Sequence, residues 1–199
     1  MFDKLKTILT MKIFLRLKHW QVFSLTWGIP FFTAIIGDFI VFQTKDFRII
    51  FEFFPFIFMF FIIGFMGWMW SAGTNLYEKL PGAVKMNIRL FKTFVIIPSV
   101  YMLIVALYIL GGVLKLNVGE MSPLIVLALI LPLHLFSMFC MFYNLYFVAK
   151  TLKAVQLQRP VKFEDYAGEF FMIWFFPIGV WIIQPRINKI FSDENTVQE

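Results

Sequence analysis

Five apolar stretches, at about residues 21–42, 51–72, 94–114, 123–149 and 167–183, fill most of the 199-residue chain and leave short charged connectors between them. A helix needs about 20 mainly apolar residues to cross a hydrocarbon core of ~30 Å. The first four stretches reach that length, and the fifth falls a little short. Backbone groups surrounded by lipid have to find partners inside their own segment. The runs lack the two-residue alternation and ~10-residue length of membrane barrel strands, so each reads as a helix. The chain is 60% hydrophobic with a mean hydropathy of +0.80, above the roughly 45–50% apolar usage of water-soluble domains, which excludes an aqueous fold around one buried core. The sequence therefore describes an all-α integral membrane protein, a bundle of about five transmembrane helices.

No Ser/Gly-rich linker, low-complexity tract or internal repeat divides the chain. Residues 1–191 read as one polytopic membrane domain that opens with a basic segment, 1–19, and residues 192–199 as a short, acidic, disordered tail. Lysine and arginine alternate in density from connector to connector. Thirteen fall before span 1, between spans 2 and 3 and between spans 4 and 5, against five in the other three connectors. The excess of basic residues marks the cytoplasmic side. The N-terminus is thus expected inside, in what reads as a bacterial cytoplasmic membrane. Trp20, Trp68 and Trp70 lie near the same ends of spans 1 and 2, where amphipathic rings favour the interface.

The fifth segment admits two arrangements. Its unbroken apolar part, residues 170–183, is short for a span and carries Pro177 and Gly179 in the middle. A kinked fifth span starting near Ala167 is the preferred reading and puts the C-terminus outside. The alternative is a re-entrant hairpin turning at Pro177-Ile178-Gly179, which returns Arg186 and Lys189 to the inside and sharpens the charge split to fifteen against three.

Few residues have the types and spacing that carry chemistry. His134, Ser137, Met141 and Asn144 form one mildly polar stripe on span 4. An imidazole near the bilayer midplane is costly to leave in lipid, so the stripe faces protein and suggests a proton relay, ion path or ligand contact. A neutral imidazole bonded across helices explains it equally without any function. Asp38, about one turn inside the outer end of span 1, needs a partner, for which Lys45, Arg48 and Lys115 are within easier reach than His134. Pro30, Pro132 and Pro177 are hinge candidates, because an internal proline removes a backbone donor and frees a carbonyl one turn earlier. Gly64, Gly67 and Ser71 make a small-residue face suited to close helix packing, within the chain or between copies. Lys85, Arg89 and Lys92, spaced along one helical face, and Lys150 and Lys153 beyond span 4 are candidates for contact with anionic lipid headgroups. A single cysteine, Cys140, allows no intrachain disulfide or thiolate cluster. His134 has no second histidine, cysteine or carboxylate at ligand spacing, so no metal site or cofactor is indicated, and neither is a nucleic acid.

Three classes of function fit this pattern. The first is a non-catalytic membrane component, an accessory or assembly subunit with a membrane-protein partner or a second copy of itself. A small transporter or channel subunit using His134 and Asp38 is second. A lipid-modifying enzyme, working where the basic connectors meet headgroups, is third.

Overall fold

The computed structural model describes residues 13–113 and 123–192, all of the regular structure in them helical. A short α1, Ile13–Arg16, leads into four helices long and apolar enough to cross a membrane. These are α2, His19–Thr44; α3, Arg48–Glu78; α4, Ile88–Val113; and α5, Pro123–Leu157. Two further helices follow, α6, Phe163–Trp174, and α7, Phe176–Ser192. The protein is an all-α integral membrane protein. The acidic tail after Ser192, the first twelve residues and the connector holding Lys115 lie outside the described residues.

The fifth apolar segment is not one helix. It is broken at Phe175, which leaves helical geometry with φ −87° and ψ 54°, and the chain folds back on itself. The turn falls two residues before the expected Pro177-Ile178-Gly179. Pro177 is instead the second residue of α7, in the first helical turn, where a missing N–H costs nothing. The Phe175 carbonyl accepts from both Ile178 N (3.0 Å) and Gly179 N (2.9 Å), so it closes the first turn of α7. A side chain at Gly179 would run directly into the carbonyl of Met172, so glycine is what lets the two helices approach this closely. At the open end, Asp165 Oδ2 caps the Lys162 N–H at 2.9 Å, with Glu164 beside it in the first turn of α6.

The two ends of the four-helix bundle differ. Toward the hairpin, α1 to α7 all contribute to one core. It includes Phe14, Val22, Trp68, Met69, Leu76, Phe91, Phe147, Leu152, Ile173, Ile183 and Ile187, none more than 6% exposed. Gly73 is essential to it, since a side chain there would enter the ring of Phe91, which stacks on Phe147 at 4.2 Å. Toward the other end, Phe31, Phe32, Phe39, Phe42, Phe51 and Phe56 point away from protein. Lipid is as apolar as those rings, so no hydrophobic force drives them together.

Both α2 and α3 contain a π-helical turn, Ser24–Gly28 and Ile62–Met66, and the two turns face each other. Thr26 Oγ1 donates to the Val22 carbonyl at 2.8 Å. An added methyl on Gly64 would lie 2.9 Å from Thr26 Cγ2, so the small-residue face of α3 serves packing within the chain at this point. Gly67 and Ser71 continue that buried face.

Candidate functional site

The charged groups that the fold brings together lie at the root of the hairpin. Glu169, which looks from the sequence like a solvated carboxylate at a helix entrance, has only 5% of its side chain exposed. Its Oε1 accepts from Arg186 Nη2 at 2.6 Å and from Lys153 Nζ at 3.1 Å, joining α6 to α7 and α5. Arg186 Nη2 also donates to Gln156 Oε1. Burial pushes the Glu169 carboxyl up, but the hydrogen bonds from Arg186 and Lys153 outweigh it and hold the group below the usual carboxylate range. Nearby, the backbone N–H of Lys162 and then the Arg159 guanidinium hold Asp165 low as well.

A second polar cluster sits deeper. Gln184 is fully buried, and its Oε1 accepts from Trp68 Nε1 at 2.7 Å. Its Nε2 faces three acceptors, the carbonyls of Phe14 (2.7 Å) and Leu17 (2.9 Å) and Asn188 Oδ1 (2.8 Å). Asn188 Nδ2 donates to the same Leu17 carbonyl at 3.0 Å. One amide thereby ties α7 to α3 and to the backbone around α1, and Trp68 is a buried donor rather than the interfacial ring expected of it. The periodicity of one helix cannot reveal such a cluster, since its partners are more than a hundred residues apart. The one visible signal is a glutamine directly after an apolar run.

Beside these clusters is a recess of about 760 Å³ lined by Lys79, Gln156, Gln158, Arg186 and Lys189, with Val155 and Ile190 as its apolar wall. Lys79 Nζ reaches the Ile190 carbonyl at 3.2 Å. The expected basic stripe is partly broken up. Lys85 lies in the connector before α4 begins, so it does not share a helical face with Arg89 and Lys92. Lys85 and Arg89 border a smaller hollow of about 460 Å³ with Tyr77 and Asn87. Lys92 lies 5.7 Å over the Trp70 ring. Lys150 donates to Tyr146 Oη at 2.9 Å, and Lys153 is the partner of Glu169.

The polar stripe of α5 is set against α4. Tyr101 Oη and His134 Nδ1 are 3.2 Å apart, and Asn144 Nδ2 donates to the Phe94 carbonyl at 2.7 Å. That carbonyl is the one left without a helical donor by Pro98, four residues on. Asn144 thus repairs the backbone of its neighbour. Ser137 Oγ and Asn144 Oδ1 are buried with no hydrogen-bond partner among the described residues. Asp38 is exposed on α2 and has no ion pair among them. Arg48 pairs with Asp46 at 3.0 Å, and Lys45 lies 4.2 Å over the Phe42 ring. His134 and Asp38 are not brought together, because α2 packs chiefly on α3 and α5 on α4 and α6. Pro30 sits where the π turn of α2 gives way to α-helix, and α5 continues through Pro132. Comparison with protein-family models, with curated proteins and with solved structures found no match.

Proposed function

We propose that this chain is a non-catalytic component of a bacterial cytoplasmic membrane, an accessory or assembly subunit whose working face is the compact inner module. The observation that carries this reading is the employment of the buried polar groups. Glu169, Gln184 and Asn144 each join one helix to another, and Asn188 ties α7 to the backbone just after α1. The hydrogen bonds they make serve the architecture. The basic recess at the same end offers anionic headgroups a place to bind. The hairpin supports an orientation with this module in the cytoplasm, because it returns Arg186 and Lys189 to the end that already carries Lys79 and Lys153. The N-terminus and Ser192 are then both inside.

Native mass spectrometry of the detergent-extracted protein tests the reading. An assembly with a second polypeptide, or with further copies of this one, and retained anionic lipid is the expected result. A lone chain that moves solute across proteoliposomes, or that turns over labelled lipid, would overturn it. The transporter reading draws on one specific observation, the unpartnered Ser137 Oγ and Asn144 Oδ1 on the stripe that carries His134. Water filling that seam between α4 and α5 would satisfy both atoms.

A further inference from the structure

We propose that the tip of the α6–α7 hairpin is inserted into the lipid leaflet on the side of the inner module, where it meets acyl chains without crossing the bilayer. α6 has 12 residues, ~18 Å of helix at 1.5 Å per residue, against a core of ~30 Å. It cannot cross. Its level is fixed by contacts with α5: Tyr166 against Tyr146 at 5.8 Å and Trp174 against Phe142 at 4.9 Å. From residue 149, where the apolar stretch of α5 ends, to Phe142 the spanning helix climbs ~10 Å toward the membrane centre. The tip reaches a depth of that order, at the upper end of the ~5–10 Å typical of helices lying in the interface.

The surface chemistry changes along the hairpin in the same direction. At the tip Trp174, Phe175, Ile178, Trp181 and Ile182 are uncovered by protein, Ile178 at 74%. At the open end lie Arg159, Lys162, Glu164 and Asp165. Trp174 packs on Phe142, and one turn further along α5 Met138 and Phe139 are also uncovered by protein. Trp181 also packs on His19 at 4.7 Å and on Phe23 at 5.7 Å, where α2 enters the membrane. An apolar patch of this size in water would be an aggregation liability, whereas tryptophan and phenylalanine at this level suit the boundary between headgroups and acyl chains.

The test is collision accessibility of a nitroxide attached at Ile178→Cys or at Glu164→Cys, each in a Cys140→Ala background, with the protein in phospholipid bilayers. Both positions are exposed, so neither label disturbs the core. The label at 178 is expected to collide readily with oxygen and several-fold less with a water-soluble nickel chelate than the label at 164. Equal access of the nickel chelate to both would put the tip in water and sink the proposal. Protection of 178 from both reagents would replace lipid with a covering protein, which sinks it too. The result does not depend on which side of the membrane is cytoplasmic, so it stands or falls separately from the proposed function.

Discussion

Gln184 illustrates how a single side chain closes a helical core whose neighbours come from both ends of the chain. Gln184→Leu leaves Trp68 Nε1 and the Phe14 carbonyl without these partners. Each buried orphan costs about 1–3 kcal/mol, so the variant should melt in detergent several degrees below the parent. Adding Trp68→Phe removes the orphaned donor, and the double variant should lose less than the sum of the two single losses. Glu169 predicts a pH dependence. Its folded-state affinity for protons is lowered from an ordinary 4.5, so its stabilisation is complete above that value and is lost as the pH falls below it. Melting temperature against pH should show an acid limb that is shallower in Glu169→Gln. Unchanged limbs would remove Glu169 from the account. Neither residue stood out in the sequence. A carboxylate at the start of an apolar run resembles a solvated helix entrance, and the meeting of α6 with α7 depends on a turn whose position helical periodicity does not encode.

At the scale of elements, two glycines of the hairpin give opposite expectations. Gly179→Ala forces a methyl into the Met172 carbonyl and should separate α6 from α7, read as a lower melting temperature and faster proteolysis. Gly168→Ala meets nothing within 4 Å and should be neutral or gain about 0.5–1 kcal/mol by removing a flexible residue from a helix. A similar pairing tests the seam between α4 and α5. Asn144→Leu should destabilise the parent but cost less in a Pro98→Ala background, where the helix supplies its own donor to Phe94. An equal cost in both backgrounds would mean that Asn144 serves something other than that carbonyl. The four long helices were legible because length and hydropathy are local properties of the chain. The fifth segment was ambiguous because its apolar length fits both a short span, the preferred reading, and a hairpin. The deciding contact, Gly179 against Met172, lies across a turn.

For the whole molecule, composition identified the solvent, and with it the helical class, before any site was considered. The topology proposed from the charge distribution is open to direct measurement. In a Cys140→Ala background, cysteines replacing Leu80 and Ser192 should both be protected from an impermeant reagent outside intact cells, and one replacing Lys45 should react. Labelling at Ser192 together with protection at Leu80 would mean that the chain crosses once more after α5. The sequence was least informative about how the interior is divided. It announces a membrane bundle, yet the best-packed of the described residues lie at the end where the seven helices meet. Apolar residues bound for lipid and apolar residues bound for a protein core look alike in one dimension.

That core also has an order of assembly. Phe176, Val180, Ile183, Gln184 and Ile187 are among its most deeply buried members, and all belong to α7. They emerge from the ribosome after α2 to α5 have been made. Until the hairpin docks, the four helices lack the segment that seals them at this end, and Trp68 has not met its acceptor. Until then the half-built molecule displays an open apolar cleft, and transiently exposed apolar surface of this kind is prone to aggregate. A chain interrupted within the hairpin would be inserted and still never closed.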